Sequence, residues 1–242
     1  MTPTGTVTFR IFRFDPEQDL EPRFQDFSVP VRKGSTVLEG LYYIQQNLDG
    51  SLAFRSSCRS GVCGSCGMHI AGRYRLACET QVLRLGTDVV VIRPLGHLKV
   101  LRDLVVDMTP FWAKYKRIRP YLIPGEPPPE RERTQSPDDR AKLDGLIDCI
   151  LCGLCSSACA MGGADEDYLG PAALLQAHRF VSDSRDGATE ERLRLVDGDH
   201  GVWRCHTIFS CQKVCPKDLD PAGSIARLKR EILRHRLRRL VR

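Results

Sequence analysis

The sequence contains no run of about 18 apolar residues, so we expect no helix that spans a membrane. It starts with Met1-Thr2-Pro3-Thr4 and continues directly into an alternating strand pattern. A secretory signal would need a basic start and an apolar core there, so we expect no export. No motif indicates a nucleophilic triad, a phosphate-binding loop or a pair of catalytic carboxylates. We therefore assign no substrate chemistry to this chain alone.

Cysteine, in contrast, is abundant, with 11 among 242 residues. A disulfide framework expects an even number of cysteines in an exported chain, which disfavours disulfides here. Four-thiolate zinc sites are a second alternative, but two complete sites would leave three thiolates over. Iron–sulfur clusters use every cysteine. The three groups are Cys58, Cys63, Cys66 and Cys78; Cys149, Cys152, Cys155 and Cys159; and Cys205, Cys211 and Cys215.

The first group has the C-x4-C-x2-C spacing of plant-type ferredoxins, and Cys78 supplies the distant fourth thiolate. This spacing is unusual for zinc. The chain must fold tightly around two irons and two sulfides, and glycines allow the backbone conformations that such a loop requires. These glycines are Gly61, Gly64 and Gly67. The group predicts a [2Fe–2S] site.

The second group has the C-x2-C-x2-C-x3-C spacing of bacterial ferredoxins, in which the fourth cysteine binds the other cluster. The third group ends in Cys215-Pro216, as the partner run should, but Ile208 stands where its second cysteine is expected. Exchange of the fourth ligands gives two sites. One is a [4Fe–4S] site with Cys149, Cys152, Cys155 and Cys215, and the other contains Cys159, Cys205 and Cys211.

Three thiolates suit a [3Fe–4S] cluster whose vacant corner faces Ile208. A four-iron cluster with water or another non-protein ligand on its fourth iron is the alternative. A chain that holds three clusters is typical of a protein that conducts single electrons.

The chain has room for two modest domains. Strands are expected at 6–14, 24–31, 68–71, 74–78 and 89–92. Helices are expected at 36–48, with Ser35 or Thr36 as N-cap, and at 171–182, 188–195 and 222–241. Leu101, Leu104, Val105 and Met108 share a helical spacing that Pro110 interrupts, and residues 124–140 form an exposed connector. The fold class is α+β, with a [2Fe–2S] domain at 1–105 and a helical domain at 106–242.

The formal net charge is +6, and the end of the chain is strongly basic. Eight Lys or Arg residues and one acid, Glu231, lie between Ile225 and Arg242. Such a segment suits nucleic acid, an anionic lipid surface or an acidic partner, while a solvated helix end is the simpler explanation.

Three clusters in this order resemble the iron–sulfur subunit of succinate dehydrogenase and fumarate reductase. The resemblance extends over nearly the whole chain. It is carried by the cysteine groups and by Leu101–Met108, Arg119-Pro120-Tyr121-Leu122, Gly170-Pro171-Ala172-Ala173, His178-Arg179-Phe180, Asp183-Ser184-Arg185-Asp186 and Cys215-Pro216-Lys217.

The resemblance implies a β-grasp amino-terminal domain like that of plant-type ferredoxins, followed by a helical domain like that of bacterial ferredoxins. It also implies a flavoprotein partner with FAD, a membrane anchor with cytochrome b-type subunits, and a quinone acceptor near the three-iron cluster. His206 and Ile208 match positions near the quinone. The expected location is the cytoplasmic face of the inner membrane, peripheral and bound through the anchor.

Four functions follow as hypotheses. The leading one is an electron-transfer subunit of succinate:quinone oxidoreductase. The others are a quinol:fumarate reductase subunit that works in reverse, an independent ferredoxin-like carrier, and a cluster-bearing nucleic-acid protein. We expect no nucleic-acid partner, and a salt-dependent interaction with DNA would support the last hypothesis.

Overall fold

The computed structural model describes residues 5–240, which form two compact units. The first unit contains the residues up to Met108 together with Ile150–Ser157. The second contains Thr109–Cys149 and the residues from Ala158 onward. The chain therefore leaves the first unit and later returns to it for one short segment.

The strands lie in the first unit. They are β1 Gly5–Arg13, β2 Arg23–Val31, β3 Gly67–Ile70, β4 Arg73–Leu76, β5 Val89–Arg93, β6 Val100–Arg102 and β7 Val105–Val106. A mixed sheet has the order β2-β1-β5-β3-β4, and β6 pairs with β7. β1 is antiparallel to β2 and parallel to β5, while β3 is antiparallel to β4 and β5. The five strands expected from the sequence are confirmed, with ends shifted by up to two residues.

The helices are α1 Val37–Asn47, α2 Thr109–Arg117, α3 Pro137–Ala141, α4 Leu154–Ser157, α5 Ala160–Ala164, α6 Gly170–Val181, α7 Thr189–Val196, α8 Ser210–Lys213 and α9 Pro221–Leu240. Short 3-10 helices occupy Val82–Leu85, Leu146–Asp148 and Val202–Arg204. The helices expected at 36–48, 171–182, 188–195 and 222–241 are confirmed as α1, α6, α7 and α9, although residue 241 lies outside the described residues. No helix between residues 5 and 240 is both long and apolar enough to cross a membrane.

Helix α1 crosses the mixed sheet, as in a β-grasp fold. Thr36 is its N-cap: the hydroxyl of Thr36 accepts a hydrogen bond from the amide of Glu39 at 3.2 Å, and the Glu39 carboxylate accepts one from the amide of Thr36 at 2.8 Å. This reciprocal capping box satisfies two amides that would otherwise lack a partner. A Cβ at Gly40 would overlap the ring of Phe9 on β1, so the missing side chain lets the helix approach the sheet closely.

The prediction of a helix over Leu101–Met108 is wrong. This stretch forms the β6–β7 hairpin, which turns at Asp103 with a φ of 46°. A spacing of three and four apolar residues over so short a stretch does not separate a helix from a hairpin, and Asp tolerates this left-handed conformation better than most residues. Pro110 lies in the first turn of α2, where proline is tolerated, and interrupts nothing. The division after residue 105 stays a prediction.

A buried ion pair fixes the hairpin to β1. Arg13, 5% exposed, donates from Nε to the carboxylate of Asp103, 2% exposed, at 3.0 Å. The same carboxylate accepts hydrogen bonds from the amides of Phe14 and Ala53 at 3.0 and 2.9 Å. Arg13 also contacts Asp49 at 2.6 Å. Each buried charge therefore has several partners, as such groups require.

The returning segment Ile150–Ser157 packs against the cysteine loop of the first unit. An added Cβ at Gly64 would lie 2.8 Å from the Cα and Cβ of Cys152, and one at Gly67 would lie 3.1 Å from the carbonyl oxygen of Cys152. Backbone approaches backbone at this point, so both positions need a residue without a side chain. The loop of the first cysteine group is thus in direct contact with Cys152, a member of the second group.

The second unit is helical and centres on α6, most of whose residues are buried. Its core includes Leu174 and Phe180 on α6 and Leu228 on α9. Arg192 on α7 is almost completely buried and pairs with Asp186 at 2.7 Å. The remaining guanidinium donors of Arg192 reach backbone carbonyls of residues 118–121, which ties that stretch to α7.

Replacement of Gly64 by Ala tests the contact with Cys152. The substitution places a side chain in left-handed backbone, with φ of +73°, at a cost of about 1–2 kcal/mol. Overlap with Cys152 should add about 1–3 kcal/mol. We expect denaturant unfolding of the cluster-loaded full chain to show that the free energy of unfolding falls by the sum of these two costs.

The matched control is Gly72→Ala in the β3–β4 turn. Gly72 has a φ of +82° but nothing within 4 Å of an added Cβ, so only the backbone cost should appear. Equal losses of unfolding free energy in Gly64→Ala and Gly72→Ala would show that the close contact between Gly64 and Cys152 does not affect stability.

Candidate iron–sulfur sites

The first cysteine group lies where the loop between α1 and β3 meets the end of β4. Cys58, Cys63 and Cys66 are on the loop, and Cys78 comes two residues after the last residue of β4. The loop is tight, because Gly61 adopts left-handed backbone with a φ of +69° beside the strained Arg59 at 60°. Cys66 and Cys78 are buried and Cys63 is exposed, so one edge of this group faces solvent.

Backbone amides surround the sulfur of Cys58. The amides of Ser60, Val62 and Cys63 donate to this sulfur at 3.4, 3.3 and 3.3 Å. The hydrogen bond from Ser60, followed by those from Cys63 and Val62, lowers the pKa of Cys58 to about 6. Donors favour the charged form of an acceptor. The loop is therefore built to stabilise a thiolate at this position, which is the form that binds iron.

The buried sulfurs of the group face each other. The amide of Gly61 donates to the sulfur of Cys78 at 3.3 Å, and the Cys78 thiol lies within hydrogen-bonding reach of Cys66. Burial raises the pKa of Cys66, because a charge far from water is costly. A buried thiol such as Cys66 becomes a thiolate only beside positive charge, and a pair of irons would supply it. The four cysteines thus fit a two-iron cluster.

The two later cysteine runs repeat the same local structure. Each starts directly after a 3-10 turn with an extended cysteine: Cys149 has φ −65° and ψ 116°, and Cys205 has φ −75° and ψ 119°. Each then reaches a four-residue helix whose second residue is a cysteine, Cys155 in α4 and Cys211 in α8. The two runs, which are similar in cysteine spacing, are therefore also similar in local structure.

Ile208 occupies the backbone position that Cys152 occupies in the other run. Residues in left-handed backbone flank the second position of both runs: they are Leu151 and Gly153 around Cys152, and Thr207 and Phe209 around Ile208, with φ of 52°, 78°, 58° and 62°. Three of the four are not glycine, so the conformation costs energy and is imposed by the surrounding fold. The run has kept its shape at the position where it lacks a thiolate.

The proposed four-cysteine set is placed in two parts. Cys149 and Cys215 pack against one apolar cluster of the second unit, whose buried members are Leu146, Leu175 and Leu219. Cys152 and Cys155 lie on the segment Ile150–Ser157 of the first unit. Their assignment to one cluster stays a prediction from spacing.

The three remaining cysteines are brought together. Cys159, Cys205 and Cys211 line one pocket in the second unit. Burial raises the pKa of Cys211 to about 11, and nearby negative charge on Cys159 and Cys205 adds to this rise. Burial thus again makes the thiolate, here that of Cys211, unfavourable without metal. The pocket supplies three sulfur ligands, which fits a three-iron cluster.

Tyr168 is a contact of this pocket that the sequence reasoning missed. It is 1% exposed and lines the pocket. Burial, and then the charges of Cys205, Cys159 and Cys211, raise the pKa of its phenol, whose hydroxyl lies within hydrogen-bonding reach of Cys205. A neutral hydroxyl at this place is able to donate to the sulfur of Cys205. No spacing rule connects a tyrosine to cysteines so far along the chain.

The two residues expected near a quinone, His206 and Ile208, both line the mouth of the pocket. His206 is exposed, and Ile208 is 51% exposed. Both are therefore reachable from outside the protein, next to the three cysteines. Their contact with a quinone stays a prediction.

Known protein families match both halves of the chain. A "2Fe-2S iron-sulfur cluster binding domain" matches residues 8–113, and a "4Fe-4S dicluster domain" matches residues 145–219. The first range contains the first cysteine group, and the second contains the other seven cysteines. The comparison thus supports the expectation of two-iron and four-iron centres.

Relatives match over nearly the full length. The succinate dehydrogenase iron-sulfur subunit of Coxiella burnetii is 46% identical over 94% of this chain and 97% of its own. That of Paracoccus denitrificans is 46% identical over 93% of this chain and 88% of its own. The mitochondrial succinate dehydrogenase [ubiquinone] iron-sulfur subunit of Candida glabrata is 43% identical over 93% and 90%.

A solved structure has the same fold. A chain of the Mycobacterium smegmatis Sdh1 complex in the apo form superimposes with a TM-score of 0.87 and 27% identity, covering 95% of this chain and 96% of that one. This confirms the α+β fold class, a mixed-sheet domain followed by a helical ferredoxin-like domain. The fold of this chain, the placement of its cysteines and the identity of its relatives all indicate the same family. The chain belongs to the family of succinate dehydrogenase iron–sulfur subunits.

Proposed function

We propose that this chain carries single electrons through three clusters, from the FAD of a flavoprotein subunit to a quinone at a membrane anchor. The proposed ligands are Cys58, Cys63, Cys66 and Cys78 for [2Fe–2S]; Cys149, Cys152, Cys155 and Cys215 for [4Fe–4S]; and Cys159, Cys205 and Cys211 for [3Fe–4S]. The observation that carries the proposal is the pocket where three cysteines meet beside Ile208, in a chain of this family.

When bound, each cluster accepts and releases one electron at a time. The residues of this chain hold and tune the clusters. Amides of the first loop donate to the sulfurs of Cys58 and Cys78, and at Cys58 they favour the thiolate. In the third pocket the neutral hydroxyl of Tyr168 is the proposed donor to the sulfur of Cys205. Donors of this kind raise the reduction potential of a cluster, because they stabilise its more negative, reduced form.

The contact between Gly64 and Cys152 supports an order of transfer from the first cluster to the second. Cys152 is a proposed ligand of the four-iron centre, and its backbone lies against the loop of the two-iron centre. The exposed edge of that loop at Cys63 suits entry of electrons from the flavoprotein. The exposed mouth at His206 and Ile208 suits exit to the quinone. The anchor, with its cytochrome b-type subunits, would hold the chain at the cytoplasmic face of the inner membrane.

Iron content and turnover test this proposal together. The purified complex should contain about nine irons per copy of this chain and should reduce quinone with succinate. Metal analysis alongside a succinate:quinone assay checks both. An active, fully loaded complex with clearly fewer irons would contradict the three-cluster assignment. A chain that is monomeric and fully loaded without partners would favour the independent carrier.

Replacement of Ile208 by Cys should complete the third ligand set. The residues on both sides of 208 have the same left-handed backbone as those on both sides of Cys152, so the new thiol would occupy the position equivalent to that proposed ligand. We expect the oxidised variant to lose the three-iron EPR signal and to gain about one iron per chain. Ile208→Ala is the control, since it removes the side chain without adding a ligand and should keep the signal. An unchanged signal in the cysteine variant would argue against the crossover assignment.

Removal of the Tyr168 hydroxyl should lower the midpoint potential of the third cluster. If the lost hydrogen bond is about 1 kcal/mol stronger in the reduced state, Tyr168→Phe shifts the potential by about −40 mV. A redox titration followed by EPR measures the shift, and the two-iron potential of the same sample should not move. Tyr121→Phe, at a position that is 55% exposed, is the control. Equal three-iron potentials in the wild type and Tyr168→Phe would show that the hydroxyl does not act on the cluster.

A further inference from the structure

The outer face of α9 carries two parallel strips of side chains. Leu233, Leu237 and Leu240 are spaced four and three residues apart, so they lie on one side of the helix. They are 47%, 62% and 81% exposed. Beside them runs a basic strip, spaced three, four and four residues apart and exposed throughout. It consists of Arg227, Arg230, Arg234 and Arg238.

The basic strip is not neutralised within residues 5–240. Arg234 pairs with Glu231 on the same helix at 2.6 Å, and Glu231 is the one acid of α9. Arg227, Arg230 and Arg238 form no ion pair with any described residue. Arg236, on the other side of the helix, does bind Asp197 at 2.6 Å. The helix thus pairs Arg236 and leaves three arginines of the basic strip without a counter-charge among the described residues.

Their field also reaches into the protein. His178 on α6 is 5% exposed, and its pKa is lowered to about 4, by burial first and then by the charges of Arg227 and Arg230. The beginning of the strip is therefore a region of positive potential in the free protein, and an anion bound there would relieve it.

We propose that the outer face of α9 binds the surface of a bilayer containing anionic phospholipids, with the arginines at the headgroup phosphates and the leucines in the interface. Guanidinium groups bind phosphate oxygens in pairs, and a helix with an apolar strip beside arginines is typical of segments that lie in the membrane interface. The two strips extend over residues 227–240, about 20 Å of helix, and a flat surface can contact all of it.

A polyanion without an apolar phase fits less well. Nucleic acid would match the arginines but leave the three leucines in water, whereas an anionic bilayer accommodates both strips. An acidic protein segment is the other candidate, and the experiment distinguishes it.

The test uses the cluster-loaded full chain and sedimentation with vesicles of phosphatidylglycerol or phosphatidylcholine. Wild type should bind phosphatidylglycerol, bind phosphatidylcholine weakly, and lose most binding in high salt. The triple variant Arg227→Gln, Arg230→Gln and Arg238→Gln should bind phosphatidylglycerol about 100-fold more weakly, since each charge near an anionic surface contributes about fivefold.

The matched control is Lys33→Gln, Arg73→Gln and Arg84→Gln, which removes three exposed charges from the first unit. It has the same net charge as the triple variant and should bind like wild type. A second variant, Leu233→Ser with Leu237→Ser, should lose about tenfold through its apolar contacts. Cluster absorbance and circular dichroism establish that each variant is folded.

Four results would overturn the proposal. The first is that wild type does not bind phosphatidylglycerol vesicles, and the second is that the control loses as much affinity as the triple variant. The third is that the leucine variant binds as wild type does, which would indicate a site for any polyanion. The fourth is that the triple variant keeps its affinity for vesicles but no longer assembles with the other subunits, which would indicate a protein partner instead.

Discussion

Cysteine sulfur is a good ligand for iron as a thiolate, and a thiolate inside a protein must be stabilised by donors or by metal. The chain provides donors where it can: three amides converge on Cys58, one reaches Cys78, and a phenol reaches Cys205. At Cys66 and Cys211 burial outweighs the backbone donors and raises the pKa of the thiol, so the thiolate there needs metal. Local backbone shape and cluster assembly are therefore parts of one constraint, because the turns that aim the amides also place the sulfurs.

The same constraint explains why the two later runs resemble each other in structure. A 3-10 turn, an extended cysteine, a left-handed pair of residues and a short helix occur in both. The shape persists at Ile208, where the ligand itself is absent. In the proposed assignment a single side chain would decide whether the site offers three thiolates or four, while the flanking backbone keeps the same left-handed shape. This separation of shape from ligand number lets otherwise similar sites hold clusters of different nuclearity and potential.

Much of the site was predictable because cysteine spacing is a local property with strict geometric limits. The proximity of Cys159, Cys205 and Cys211 followed from the crossover pattern alone. The N-cap, expected at Ser35 or Thr36 and found at Thr36, and the strands around Phe9 were also local signals. The β6–β7 hairpin was not predictable, because its turn depends on Asp103 meeting Arg13, ninety residues earlier. Tyr168 and the contact of Gly64 with Cys152 were missed for the same reason: they are tertiary contacts between segments that no short pattern connects.

The return of Ile150–Ser157 to the first unit has a consequence for biosynthesis. During translation the mixed sheet can form early, but the surface at Gly64 and Gly67 stays uncovered until residue 157 has left the ribosome. Domains generally fold as units and in order of synthesis, yet here the earlier unit waits for a piece of the later sequence. A newly made chain therefore passes through a stage in which the cysteine loop is still open.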